Sequence, residues 1–180
     1  MNSFDKIEYR IKNYDFSKSK FEYDKNFTFQ ENRGYIVLRL TQQFLGDFIE
    51  MRIPEYDPDE KSEYLGVNKK VDYKNSKYCF EHKENCFTDN GSSYKKNIEK
   101  LIQYAKENNL IPVYAYTNMR SEKNNYIKNN VLHLHGIEIF KLLGIEEKYT
   151  NFKIDIEESK KIIVNKIREQ FNEYYSEFIV

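Results

Sequence analysis

The sequence has little of what marks several common classes of protein. Its 180 residues include two cysteines, three prolines, six glycines and no tryptophan. Two cysteines, Cys79 and Cys86, with no C-x-x-C motif, exclude a four-cysteine zinc site. No apolar run approaches the roughly 20 residues of a membrane-spanning helix, and residues 1–8 lack the features of a signal peptide. We therefore expect no membrane association and a location in the reducing cytoplasm.

There is also no excess of charge of either sign. The chain has 29 basic and 29 acidic residues, and its formal net charge is zero. A nucleic-acid-binding protein often has a basic excess because phosphate contacts dominate its affinity, so the total counts modestly against DNA as a partner. A basic cleft beside an acidic metal site would still give a neutral total.

Aromatic residues, by contrast, are abundant. The 16 tyrosines and 13 phenylalanines make up 16% of the chain, so much of the core packing falls to aromatic rings. At this length one domain is expected, and neither an internal repeat nor a linker divides the sequence. The prediction is a single domain over residues 1–180.

The most informative stretch lies between residues 71 and 117. Asp72 is followed by Glu81, His82 and Lys83 within a predicted strand over residues 77–83. Alternate residues of a strand point to the same face, so Glu81 and Lys83 are expected side by side. His82 is then expected to face the other side of the sheet.

A hairpin is predicted to bring Asp72 to the same place. Asn75 and Ser76 favour a turn between the two strands. With that turn, Asp72 lies opposite Cys79 and one diagonal step from Glu81, on the same face. Two carboxylates and an ammonium group would then share one pocket.

Clustered carboxylates of this kind suit a hard divalent cation. Mg²⁺ and Mn²⁺ take few protein oxygens and keep several waters, and such an ion activates a phosphodiester and its attacking water. Lys83 would orient that water or stabilise the developing negative charge. The alternative is a solvated ion pair between Glu81 and Lys83 on an edge strand, which is favoured for E-x-K alone in a chain that is 32% charged.

The residues that follow favour the site over the surface pair. A polar loop over residues 84–93 leads to a predicted helix over residues 94–109, with Ser92 or Ser93 as its N-cap. The apolar positions of this helix have helical spacing: Ile98, Leu101, Ile102 and Ala105. Residues 111–117 form the next predicted strand.

Strand, strand with E-x-K, helix and strand in this order is similar to the common core of the PD-(D/E)XK nuclease superfamily. The segments Phe80-Glu81-His82-Lys83-Glu84-Asn85 and Thr88-Asp89-Asn90-Gly91-Ser92-Ser93-Tyr94-Lys95-Lys96 resemble small type II restriction endonucleases. The resemblance implies an α/β fold in which a restriction-endonuclease-like mixed sheet is flanked by helices. It also implies Asp72 and Glu81 as ligands of Mg²⁺, with Mn²⁺ as a substitute, and Lys83 as the catalytic lysine.

The implied activity is that of a Mg²⁺-dependent endodeoxyribonuclease that cuts double-stranded DNA at a short specific sequence. A homodimer would match a two-fold symmetric DNA site. Amides and hydroxyls near the site would contact base edges or phosphates, and the candidates are Asn85, Asp89, Asn90, Ser92 and Ser93. Two alternatives stay open: a repair or junction-resolving nuclease of the same superfamily, and a non-catalytic phage or plasmid interaction protein.

Two features precede this stretch. Residues 34–53 have the spacing of an amphipathic helix, and Asp47 or Glu50 on it is a candidate accessory acid. The alternative for each acid is an ordinary solvated position on the helix. Residues 53–68 are predicted as a loop with at most a short strand.

The C-terminal third is predicted to contain a strand between a loop and helices. Residues 120–130 form a polar loop, and residues 131–135 form a strand whose His133 and His135 share one face. A structural role for these histidines is placed ahead of DNA contact or metal binding, since no third metal ligand is visible nearby. The last helix is expected to begin at about residue 156.

Overall fold

Helices occupy both ends of the chain, and strands are concentrated in its middle. The structure, a computed structural model, describes residues 1–66, 69–83, 91–117 and 125–179. The helices are α1 (Ser3–Lys12), α2 (Phe29–Tyr56), α3 (Ser92–Asn108), α4 (Ile137–Leu142) and α5 (Tyr149–Tyr174). The strands are β1 (Glu63–Tyr64), β2 (Tyr73–Lys74), β3 (Tyr78–Lys83), β4 (Ile111–Tyr116), β5 (Tyr126–Lys128) and β6 (Val131–His135).

The chain divides into two compact units. The helical unit comprises Met1–Ile49 and Lys153–Val180, and the sheet unit comprises Glu50–Phe152. The boundaries between them fall inside α2 and α5. The single-domain prediction over residues 1–180 stays a prediction.

The sheet unit is built on one mixed six-stranded sheet. Its strand order is β1-β2-β3-β4-β6-β5, with β4 parallel to β3 and to β6 and the other neighbours antiparallel. Parallel neighbours need a crossover connection, which α3 provides between β3 and β4. The predicted mixed sheet flanked by helices is confirmed.

One face of this sheet is covered by the apolar stripe of α3. Ile98, Leu101 and Ala105 are buried in one cluster with Cys79 of β3, as their spacing predicts. Ile102 is 37% exposed and lies at the edge of the stripe. The face of β3 that carries Cys79 is therefore the face toward α3.

The N-cap of α3 is Gly91 and not a serine. Gly91 has φ 103° and ψ −178°, a region that favours glycine, and its carbonyl accepts the Lys95 N–H at 3.1 Å. Ser92 and Ser93 are the first two residues inside the helix, so the predicted serine cap is wrong. The conformational freedom of glycine sets the start of this helix.

The hairpin between β2 and β3 turns one residue later than predicted. Asn75 donates its N–H to the Tyr78 carbonyl at 2.9 Å, which leaves Ser76 and Lys77 as the connecting loop. The Asn75 Oδ1 accepts the N–H groups of Lys77 and Tyr78 at 2.9 and 2.7 Å. Asn75 is therefore the first residue of the turn and not one of its two central residues, and its side chain stabilises the turn by these hydrogen bonds.

This later turn changes the register of the two strands. Tyr73 pairs with Phe80 and Lys74 pairs with Cys79, so the predicted pairing of Asp72 with Cys79 is wrong. Asp72 instead donates its N–H to the Phe80 carbonyl at 2.9 Å. In the observed register, Asp72 lies beside the end of β3 that carries Glu81 and Lys83.

α2 extends beyond its predicted range of residues 34–53. It continues through Pro54, and an ion pair of 3.1 Å between Arg52 and Glu55 supports its last turn. A proline in this position removes only one helical hydrogen bond. The first part of the predicted loop over residues 53–68 is therefore helical, and the short strand allowed there is β1.

The predicted loop over residues 120–130 contains the strand β5, which the sequence pattern did not indicate. Asn129 and Asn130 have φ of 54° and 61° and connect β5 to β6 in an antiparallel hairpin. Asparagine tolerates this left-handed conformation better than most residues, and such turns match the twist of a hairpin. Two adjacent asparagines are the local signal for this turn.

The helical unit has a core drawn from three helices. Its buried apolar residues include Ile7, Ile11, Ile36, Leu40, Phe44, Phe48, Ile163, Ile167 and Phe171. α5 begins at Tyr149, so the predicted start at about residue 156 is wrong. Across the described ranges, neither these long helices nor any other is apolar enough over a sufficient length to cross a membrane.

Candidate active site

Asp72 is held at the end of β3 by both its backbone and its side chain. Its N–H donates to the Phe80 carbonyl at 2.9 Å, and its Oδ2 accepts the His82 N–H at 2.7 Å. These two hydrogen bonds reach the peptide groups on either side of Glu81. The position of the aspartate beside Glu81 is therefore set by the strand itself.

Cys79, Glu81 and Lys83 are at alternate positions of β3 and therefore lie on the same face, the one toward α3. The Lys83 Nζ lies 3.4 Å from the Glu81 Oε1. Glu81 is only 8% exposed, whereas 35% of the Lys83 side chain is accessible to solvent. The ammonium group can therefore meet a ligand from solution, with a buried carboxylate behind it.

Burial raises the pKa of both carboxyl groups. The pKa of Asp72 is raised to about 6, first by burial and then by the negative charge of Glu50. The pKa of Glu81 is raised to about 7, first by burial and then by the charge of Asp72, against the opposing effect of Lys83. Repulsion between buried carboxylates of this kind is relieved by a bound cation.

The raised pKa of Glu81 predicts that stability depends on pH. Because the pKa of Glu81 is higher in the folded than in the unfolded protein, folding favours its protonated form. The contribution of Glu81 to the free energy of unfolding is therefore complete below the ordinary pKa of 4.5 and is lost as the pH rises through about 7. We expect Glu81→Gln to leave the free energy of unfolding nearly unchanged at about pH 4 and to raise it by roughly 1–3 kcal/mol at about pH 8. Urea unfolding at both pH values measures the difference.

Glu138→Gln is the matched control for this measurement. Glu138 lies on α4, and its partly exposed carboxylate pairs with Lys141 at 3.2 Å. The control should change the free energy of unfolding by less than about 0.5 kcal/mol at either pH. A Glu81→Gln protein that is less stable than wild type at about pH 8 would contradict the electrostatic account.

His82 faces the opposite side of β3 from Glu81, as strand alternation predicts. It is 3% exposed, its Nδ1 lies 3.6 Å from the Glu50 Oε1, and its Nε2 contacts the Thr117 Oγ1. Thr117 directly follows β4, the parallel neighbour of β3. The sequence pattern does not single out this threonine, because its contact with His82 arises only when the two strands pair.

Of the two candidate accessory acids, Glu50 lies near Asp72. Its charge raises the pKa of Asp72, and its Oε1 approaches the ring of His82. Asp47 belongs to the helical unit, where its Oδ2 lies 3.2 Å from the Arg10 guanidinium. Glu50 is therefore the candidate accessory acid whose charge reaches Asp72, and it lies on the side of β3 that carries His82.

The candidate DNA-contacting residues fall into two groups. Ser92 and Ser93 are exposed at the first turn of α3, where their hydroxyls are accessible to a ligand. Asn85, Asp89 and Asn90 lie outside the described residues. The proposed role of all five in contacting DNA stays a prediction.

His133 and His135 share one face of β6, and both are buried. The His133 Nδ1 lies 3.0 Å from the Val131 carbonyl oxygen, and its Nε2 lies 2.9 Å from the Tyr94 hydroxyl. The ring of His133 also stacks on Tyr126, with centroids 4.5 Å apart. These contacts support a structural role for His133.

Asp72 and Glu81 fit the kind of donor that a hard divalent cation takes. Mg²⁺ is commonly held by one or two carboxylates together with water and substrate phosphates. Within the described ranges, no group of three or more His, Cys, Asp or Glu side chains is arranged to hold a metal ion. Among the described residues, such a cation would have two carboxylate ligands, with water and a phosphodiester in the remaining positions.

Comparisons with models of protein families, with curated proteins and with solved structures find no match to this chain.

Proposed function

We propose that this protein is a metal-dependent endonuclease of the restriction type, which hydrolyses double-stranded DNA at a short specific sequence. The observation that carries the proposal is the attachment of Asp72 to both peptide groups beside Glu81, with Lys83 3.4 Å from the Glu81 carboxylate. A surface ion pair does not need a second, partly buried carboxylate at the same place. The arrangement therefore favours a ligand site over an edge pair.

The order of elements gives further support. β2, β3 with E-x-K, α3 and β4 follow one another in the order of the PD-(D/E)XK core, and β4 is parallel to β3. Glu50 stands on the helix before these strands, a place from which members of that superfamily can supply an acid. A restriction-endonuclease-like fold is therefore part of the proposal.

In this proposal, Asp72 and Glu81 hold the cation, with Glu50 as the accessory acid. When bound, Mg²⁺ or Mn²⁺ supplies a Lewis acid that polarises the phosphodiester and lowers the pKa of the attacking water. Lys83 directs its partly exposed ammonium group to that water or to the negative charge that develops on the phosphate. The water oxygen forms a bond to phosphorus while the bond from phosphorus to the leaving oxygen breaks, and one proton of the water goes to that leaving oxygen.

A homodimer belongs to the same proposal. Cleavage of both strands at a symmetric sequence is simplest for two identical subunits related by a two-fold axis. Ser92 and Ser93, exposed at the start of α3, are candidates for contacts to bases or phosphates.

Digestion of mixed duplex DNA tests the proposal. We expect discrete fragments with Mg²⁺ or Mn²⁺ and intact DNA with EDTA. A protein that cuts only branched junctions would instead be a junction-resolving nuclease. If neither duplex nor branched DNA is cut and Asp72→Ala binds metal as well as wild type, the protein is a non-catalytic interaction protein and the proposal is wrong.

A further inference from the structure

The helical unit contains a groove of about 390 Å³ between the first half of α2 and α5. Side chains at helical spacing line both of its walls. Gly34 on α2 also lines it, and the space beyond its Cα is open for at least 4 Å. Val37 and Val164 supply apolar surface, one from each helix. The absence of a side chain at Gly34 therefore leaves this part of the groove open.

Positive charge is concentrated in this groove. Arg33, Lys160 and Arg168 line it, and none of the described lining residues is acidic. Lys160 and Arg168 are exposed on the same side of α5, about 12 Å apart along the helix axis. On the other wall, the Arg33 guanidinium lies over the ring of Phe29, 5.6 Å from its centroid. Although the chain as a whole has no net charge, this local excess of positive charge attracts anions to the groove.

Thr41 adds a polar group to the groove. The residue is 4% exposed and lines the groove, and its Oγ1 has no hydrogen-bond partner among the described residues. A buried hydroxyl without a partner costs free energy, which an acceptor oxygen in the groove would offset once the Thr41 side chain turned to expose its Oγ1. An oxyanion between the helices would meet the surrounding cations in either case.

We propose that this groove binds the phosphate backbone of DNA. One strand carries a phosphate for about every 3.4 Å of the DNA axis, so the span of about 12 Å from Lys160 to Arg168 corresponds to about three phosphates. Arginine matches phosphate oxygens with two parallel hydrogen bonds, and the apolar surface of Val37 and Val164 suits the sugar carbons between phosphates. The choice of DNA as the polyanion rests on the proposed function.

The first test removes two charges from the exposed wall. Binding of a short labelled duplex is measured by fluorescence anisotropy in EDTA, so that neither cleavage nor the metal site affects the result. The Lys160→Gln/Arg168→Gln protein is expected to bind about tenfold more weakly, and the slope of log affinity against log salt should decrease by about 2. The control is Lys12→Gln/Lys166→Gln, which removes two exposed charges from other parts of the helical unit and should bind as wild type.

The second test adds a charge where the helix has room for it. A Cβ added at Gly34 would have no neighbouring heavy atom within 4 Å, so Gly34→Glu and Gly34→Gln both begin from an unobstructed position. The two variants differ only in charge. We expect Gly34→Glu to bind duplex DNA at least about fivefold more weakly than Gly34→Gln, since a carboxylate in the groove repels phosphate. Thermal unfolding should show that both variants are folded.

The outcomes separate this inference from the nuclease proposal. Weaker binding by the groove variants supports the inference even if no form of the protein cuts DNA. Equal affinity in wild type and in both sets of groove variants, or no binding of duplex DNA by wild type, overturns the inference even if the protein is a nuclease. Tighter binding of poly-glutamate than of DNA of equal charge also overturns it, in favour of an acidic protein partner.

Discussion

Lys83→Met is expected to lower the single-turnover rate of DNA cleavage by about 100-fold to 1,000-fold, the usual cost of losing one preorganised group that stabilises developing charge. Methionine keeps an apolar stem of similar length but removes the ammonium group that lies 3.4 Å from Glu81. Glu81→Gln is expected to have at least as large an effect, because it removes half of the carboxylate pair. Both variants should bind duplex DNA in Ca²⁺ nearly as well as wild type.

The ion pair of Glu138 and Lys141, 3.2 Å long on α4, supplies the control for both changes. Glu138→Gln and Lys141→Met should cut DNA at the wild-type rate. Because Glu81→Gln is expected to be more stable than wild type at about pH 8, its loss of activity there would not reflect unfolding. Cleavage at the wild-type rate by both Lys83→Met and Glu81→Gln would show that the site is assigned wrongly.

Phe80→Ala is expected to lower the free energy of unfolding by about 3–5 kcal/mol, the usual cost of deleting a buried phenylalanine ring. Phe80 is 1% exposed, and its ring stacks on Tyr73 with centroids 4.5 Å apart and planes 13° apart. The two residues are also the paired positions that fix the register of β2 on β3. Alanine keeps the backbone carbonyl that accepts the Asp72 N–H, but without the stacked rings the hairpin should hold that hydrogen bond, and with it the aspartate, less firmly.

Urea unfolding followed by circular dichroism measures this loss, with Phe27→Ala as the control. Phe27 is 57% exposed, so removing its ring should change the free energy of unfolding by less than about 0.5 kcal/mol. If Phe80→Ala costs less than about 1 kcal/mol, the stacked pair does not hold the hairpin in its register.

Elements with strong local periodicity were predictable from the sequence. The stripe of Ile98, Leu101 and Ala105 predicts α3 and the face that it buries. The alternation of β3 likewise predicts that Glu81 and His82 face opposite sides of the sheet. Both predictions depend only on neighbours within a few residues, which is why they needed no knowledge of the fold.

Element ends and turns were less predictable, because single residues decide them. Gly91 and not a serine begins α3, and α2 continues through Pro54, which usually ends a helix. Asn129 and Asn130 connect a strand that the polar composition of residues 120–130 conceals. In each case the backbone at one or two residues differs from the secondary structure that the composition of the surrounding segment favours.

The sequence by itself determined the order of strands and helices around E-x-K and the face of β3 on which Glu81 and Lys83 lie. Only the tertiary structure decided that Asp72 binds the peptide groups beside Glu81 and that His82 meets Thr117. The physical reason is that a strand's alternation is local, whereas its register is set by hydrogen bonds to other strands, and a shift of register changes which residues meet.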